Sequence, residues 1–138
     1  MSYVLSRAGV VDFQVEAKRA EISPGTGRIE LIGVRARVGG LAGAAQELSG
    51  LELVCRRGSL DLETREFSAA GGVDGRMQDG RTLRTERLRY RHDSGVVTSD
   101  APVALRDATG DFSGGGFQLW VRTNRFRLTG GARIVQGE

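Results

Sequence analysis

The stretch Thr82-Leu83-Arg84-Thr85-Glu86-Arg87-Leu88-Arg89-Tyr90, followed by Gly95-Val96-Val97-Thr98-Ser99-Asp100-Ala101-Pro102-Val103, decides the fold. Apolar and polar residues alternate within it, and a polar turn separates its two halves, as in a pair of half-buried strands. Looser copies lie on both sides. Downstream, Gly115-Gly116-Phe117-Gln118-Leu119-Trp120 is answered by Arg125-Phe126-Arg127-Leu128-Thr129-Gly130-Gly131. Upstream, Leu53-Val54-Cys55-Arg56-Arg57-Gly58-Ser59-Leu60 is answered by Glu66-Phe67-Ser68-Ala69-Ala70-Gly71-Gly72-Val73. The first copy reads Phe13-Gln14-Val15-Glu16-Ala17, then Arg28-Ile29-Glu30-Leu31-Ile32-Gly33-Val34. Cys55 maps to Thr85, and Phe67 to Val97, at the same separation of thirty positions. Repetition at this pitch points to stacked units that bury their apolar faces only against neighbours. Function is then to be sought in a long shared surface rather than in one cluster of reactive groups.

A chain of 138 residues is expected to form a single domain, residues 1–138, large enough to bury a core. Glycine is abundant at 21 residues and proline scarce at 2, which suits short strands joined by tight turns better than a helical bundle. No apolar run approaches the roughly 18 residues of a membrane-spanning helix. The first ten residues lack the apolar centre of a signal peptide. The net charge is +3, and Lys18 is the only lysine among 20 basic residues. Arginine suits phosphate and carboxylate partners, but it equally solvates the outer face of strands.

Alternation recurs along the whole chain, so the expectation is all-β. Val34, Ala36 and Val38 alternate with Arg35 and Arg37; Leu60 and Leu62 with Asp61 and Glu63; Phe117, Leu119 and Val121 with their polar neighbours. By the same alternation Phe13, Val15, Leu60, Phe67, Leu88, Tyr90, Val97, Phe117, Leu119 and Leu128 face inward. Residues 41–48 read as a loop or one short helix. The strands over residues 10–17 and 125–135 are the expected edges, with free backbone groups able to pair with another strand.

Little in the chain points to chemistry, and no catalytic residue is assigned. His92 sits in the polar run His92-Asp93-Ser94-Gly95 and reads as a surface turn residue. One His and one Cys cannot build a structural zinc site, so no metal or other cofactor is expected. Cys55 reads as a small buried hydrophobe, and Asp61, Glu63 and Glu66 as outward charges. The glycine cluster Gly114-Gly115-Gly116 lacks the Lys-Ser/Thr ending of a phosphate loop and reads as a bend between strand layers. Gly71-Gly72 and Gly130-Gly131 read as equivalent turns or bulges. The arginines between Arg81 and Arg91 lack the exposed aromatics of a single-strand nucleic-acid surface, and no nucleic-acid partner is expected.

Thr98-Ser99-Asp100-Ala101-Pro102-Val103, followed by Gly114-Gly115-Gly116-Phe117 and Phe126-Arg127-Leu128-Thr129-Gly130-Gly131-Ala132-Arg133, resembles the periplasmic domain of the LptC family. That family belongs to the OstA-like superfamily of lipopolysaccharide export. The resemblance covers residues 13–135, and its first half is generic. It implies an open twisted β-jellyroll, or β-taco, of stacked antiparallel strands without enzymatic activity. The ten inward residues would then line a groove for the lipid A acyl chains of lipopolysaccharide. An LptA-like bridge protein would dock at the C-terminal edge, through Phe126, Leu128, Ala132 and Ile134. An LptF/LptG-type inner-membrane transporter would sit at the N-terminal edge, and homodimerisation is left open. Location in the periplasm follows, with an inner-membrane anchor in the full-length protein and none in this chain. Two alternatives stand beside this reading. One is an LptA-like bridge protein, and the other a self-assembling β-stack scaffold without ligand.

Overall fold

The structure is a computed structural model that describes residues 1–39, 50–77, 79–123 and 125–136. The loop or short helix expected over residues 41–48 lies outside the described residues. Among those residues there is no helix, and the chain forms one antiparallel sheet of 12 strands. The first six run in sequence order: β1 (Ser2–Arg7), β2 (Val10–Ser23), β3 (Arg28–Val38), β4 (Leu51–Asp61), β5 (Glu66–Met77) and β6 (Thr82–Arg91). The rest are β7 (Val96–Ser99), β8 (Val103–Arg106), β9 (Gly110–Gly114), β10 (Gly116–Trp120), β11 (Arg125–Thr129) and β12 (Arg133–Gln136).

After β6 the sheet divides. The C-terminal half of β6 pairs with β7, and the branch continues through β10 to β11. The N-terminal half pairs with β8, and that branch continues through β9 to β12. Each short strand after β6 therefore corresponds to half of a long one before it.

The long strands carry the same division as a crease. In β6, Leu83 and Thr85 face inward, Glu86 and Arg87 both face out, and Leu88 and Tyr90 face inward again. In β4 the outward pair is Arg56 and Arg57, and in β3 the break falls at Ile32-Gly33. A strand that skips one position inverts its inward phase. Here each of the long strands β2 to β6 breaks its alternation at the same level, β5 with a bulge at Ala70, Gly71 and Gly72, so the sheet bends along one line. Glycine marks that line where the backbone needs it: Gly33 and Gly71 have φ of 67° and 82°. At the β9–β10 crossing, a side chain on Gly116 would stand 2.5 Å from the Ser99 carbonyl, so strands there approach backbone to backbone. The glycine cluster is thus a passage between layers, as its sequence suggests.

The crease divides the sheet into two flaps. Flap A holds β1, residues 10–17, 34–38, 51–55, 73–77 and 82–85, and β8, β9 and β12. Flap B holds the other halves of the long strands with β7, β10 and β11. They fold face to face: the Phe13 ring of flap A stacks on Tyr90 of flap B with centroids 5.2 Å apart, and lies 5.5 Å from Phe67.

The Thr98–Val103 motif has a specific task at the fork. Where β6 exchanges β8 for β7, carbonyls lose their ladder partners and need others. Ser99 Oγ donates to the Arg87 carbonyl at 2.6 Å, and Thr85 Oγ1 donates to the Pro102 carbonyl at 3.0 Å. Pro102 sits where no backbone N–H is needed for the ladder.

The edges differ from expectation. Residues 10–17 are covered by β1, so β1 is the N-terminal edge. The hairpin joining them turns at Ala8 and Gly9, both at positive φ, and β1 has only six residues to announce it. The single final strand expected over residues 125–135 is two strands, β11 and β12, on different branches.

Candidate functional site

The inner face of the two flaps is the candidate site. Residues directly opposite in antiparallel strands share a face, so the register defines rows of side chains across the sheet. On flap A one row runs Tyr3, Val15, Ala36, Leu53, Gly75, Leu83, Leu105, Phe112, Ile134. On flap B the facing row runs Ile22, Ile29, Leu60, Phe67, Tyr90, Val97, Leu119, Phe126. Every member but the central Gly75 is apolar or aromatic. The rows are deeply buried in the middle and open at the ends, where Ile22 is 68% and Ile134 65% exposed.

The structure places all ten sequence-assigned groove residues on this face. Phe13, Val15, Leu60, Phe67, Leu88, Tyr90, Val97, Phe117 and Leu119 are buried in the core, and Leu128 is partly buried against it. Of the four assigned edge residues, Phe126 and Leu128 lie on the inner side of β11, and Ile134 lies on β12. Ala132 is in neither strand, but in the link between them.

The flaps are closed on each other, and two further expectations need correction. Gly58 of flap B is covered from both flaps, since a Cβ on it would meet Phe67 at 3.0 Å and Val34 of flap A at 3.3 Å. A trough of about 770 Å³ on the outer face of flap A runs between Glu52, Val54, Arg76, Arg84, Arg106 and Val135. Its arginines face acids, as in the Arg84–Asp74 and Arg106–Asp111 pairs, both at 2.8 Å. Leu62 is one correction. It does not continue the inward alternation of Leu60, but lies exposed in the turn capped by Asp61.

His92 is the other. It is not a surface residue: only 2% of it is exposed. Its Nδ1 faces the Tyr90 hydroxyl at 3.1 Å and Asp12 Oδ1 at 3.5 Å, and its Nε2 faces the Ser6 carbonyl at 3.2 Å. Arg122 donates to the His92 carbonyl and stands 3.8 Å from Asp12 Oδ2. Sequence reasoning missed this group because its members are scattered over the chain. One signal was available, since His92 continues the alternation of Leu88 and Tyr90.

The outer face is charged and mostly paired, with Arg37–Glu52 at 2.8 Å and Arg89–Glu66 at 2.9 Å. Trp120 lies there between Arg125 and Arg127, each guanidinium 5.3 Å from its ring. Cys55 is buried near the crease, and burial pushes its thiol pKa upward, which disfavours the reactive thiolate. Among the described residues no cluster of three or more His, Cys, Asp or Glu could hold a metal ion. No helix among them is long and apolar enough to cross a membrane.

Comparison with known proteins agrees with this geometry. No curated protein matches the chain by sequence. The solved structure of LptH from Pseudomonas aeruginosa, described as the LptA homologous periplasmic component of the conserved lipopolysaccharide transport device, is similar in fold. The TM-score is 0.66 at 10% identity, over 89% of this chain and 93% of that one. At that identity the likeness speaks for the open jellyroll and no more. The family model described as "Lipopolysaccharide-assembly, LptC-related" matches residues 2–136, and with nearly the whole chain covered, this protein belongs to the LptC family.

Proposed function

We propose that this chain is a non-enzymatic, periplasmic carrier module for lipopolysaccharide. Its inner face takes up lipid A acyl chains, receives them from an inner-membrane transporter at the β1 edge and releases them to an LptA-like bridge protein at the β11 and β12 edges. Family membership supports the general role in lipopolysaccharide transport. The observation that carries the finer reading is the continuation of both apolar rows to Ile22 and Ile134, beyond the covered core. A second sheet added at either edge would extend the same rows into a shared groove. Transfer of acyl chains from water to such a surface supplies about 25 cal/mol per Å².

The close packing of the two flaps is compatible with this role, because a carrier must release its cargo. The LptA-like bridge alternative shares this groove and these edges. The match to the LptC-related family, rather than the fold likeness to LptH, favours the LptC role. Ile134→Asp tests the docking step. The residue is exposed, so the variant should fold like the parent, yet an aspartate in the apolar seam should weaken capture of an LptA-like partner about tenfold or more. Equal capture by variant and parent would reject docking at β12.

A further inference from the structure

We infer that the group formed by Ser6, Asp12, His92 and Arg122 is a latch that holds the flaps closed, and that the glycine-marked crease is the hinge on which they part. This rests on the reading of the inner face as a lipid groove and adds how access to it is controlled.

The geometry is specific. Ser6 and Asp12 belong to the β1–β2 hairpin of flap A, whereas His92 and Arg122 belong to the turns at the lip of flap B. The contacts between them therefore cross from one flap to the other at the margin farthest from the crease. They sit beside the Phe13–Tyr90 stack, which closes the apolar interior at that margin. Because the Ser6 carbonyl only accepts, His92 Nε2 carries a proton, and a neutral ring then accepts from the Tyr90 hydroxyl at Nδ1. Asp12 packs between the His92 ring, 3.5 Å away, and the Arg122 guanidinium, 3.8 Å away, so the carboxylate lies between two side chains of the opposite flap and draws its favourable charge contact from Arg122.

A polar cluster in an otherwise apolar interior is a poor way to gain stability, since well-packed apolar residues in its place would do as well or better. It is a good way to make a closure reversible. Water replaces each of these hydrogen bonds when the lip opens, so parting here costs less than parting an equal area of apolar contact. At the opposite margin, Gly33, Gly71 and Gly72 already hold positive φ, and flexing there meets fewer steric barriers than in ordinary strand.

Cys55, the only cysteine, reports on opening because it is buried on the inner face. Its labelling by a bulky maleimide should be slow in the parent chain. His92→Gln and Asp12→Asn should each raise the rate up to about tenfold, the effect of losing one cross-flap hydrogen bond (His92 to the Ser6 carbonyl) or the Asp12–Arg122 ion pair from the closed state. Arg84→Gln breaks an exposed pair within flap A and should leave the rate unchanged. Equal rates in the parent and both latch variants, or equal acceleration by Arg84→Gln, would overturn the latch.

A second arm does not depend on a destabilising variant. In a Cys55→Ser background, Ser6→Cys and Asp93→Cys bridged by a short bis-maleimide would fasten the lip. The fastened chain should stop taking up purified lipopolysaccharide, while the unbridged chain takes it up. Uptake unaffected by bridging would reject the latch and leave the carrier reading intact. No uptake by the parent chain or the unbridged chain would reject the carrier reading, and the latch would still be judged by Cys55 labelling.

Discussion

Cys55 and Thr85, thirty positions apart, occupy the same place in successive turns of the structure. Cys55 Sγ donates to the Arg57 carbonyl at 3.2 Å, and Thr85 Oγ1 approaches the Arg87 carbonyl at 3.5 Å. Each is the last inward residue before the crease, and each faces the carbonyl two residues on, where the strand skips a position. Thr85 also reaches the Pro102 carbonyl at the fork.

From that equivalence, Thr85→Cys should be milder than Thr85→Val. The valine removes the donor of the Pro102 carbonyl and should cost about 0.5–1.5 kcal/mol. The thiol keeps a weak donor in place. Urea unfolding midpoints of the three proteins check the order, and a valine as stable as the parent would contradict the role assigned to the hydroxyl.

The Phe13 ring spans the two flaps, so its loss should act on both. Phe13→Ala should destabilise by about 3–5 kcal/mol, the usual cost of emptying a buried aromatic site. Hydrogen exchange should show faster opening of β6 and β7 as well as β2. Acceleration confined to β2 would mean that the flaps do not depend on each other.

Gly116→Ala isolates the backbone contact at the β9–β10 crossing, since this glycine does not have positive φ. Its Cβ would force the Ser99 carbonyl away, with a cost of about 1–3 kcal/mol. Exchange at Thr98 and Gln118, which pair across β7 and β10, should rise with it. Unchanged stability would mean that the fork adjusts freely.

Two turn aspartates set an acid limit. The Thr64 backbone N–H, and then that of Glu63, hold the Asp61 carboxyl below the ordinary aspartate value of 3.8. The Thr109 hydroxyl, and then its backbone N–H, do the same for Asp107. A carboxyl with a depressed pKa in the folded state contributes stability above its unfolded value and loses it as pH falls through the folded one. Midpoints measured from about pH 5 downward should therefore fall less steeply in Asp61→Asn and Asp107→Asn than in the parent. Parallel curves would contradict the assignment.

Much of this was legible in the sequence, for identifiable reasons. Alternation through Leu88-Arg89-Tyr90 and Phe117-Gln118-Leu119 sets the inward face, because period two leaves one choice once a face is apolar. The thirty-position repeat places Cys55 over Thr85, and the glycine cluster at residues 114–116 marks a layer crossing. The crease was also written in the chain, as the spacing of Leu83, Thr85, Leu88 and Tyr90, but a skipped position is easily taken for noise. The latch was not legible in that way, since Ser6, Asp12, His92 and Arg122 meet only when the sheet folds on itself. Nor does alternation distinguish a closed core from a groove with room, because both need the same apolar face. The short β1–β2 hairpin escaped because it has few residues to carry a pattern.

The central claim is that lipid acyl chains occupy the inner face between the flaps. The most direct measurement is photocrosslinking to lipopolysaccharide, in the presence of the transporter, from a reactive residue placed at Leu88 or Leu119, with Arg87 and Gln118 as outward neighbours. Both leucines are buried on the inner face, whereas Arg87 is exposed and Gln118 only partly covered. Crosslinks from the two leucine positions and not from their neighbours are expected. Crosslinks confined to the Arg87 and Gln118 positions would contradict transport between the flaps and place the lipid on the outer surface.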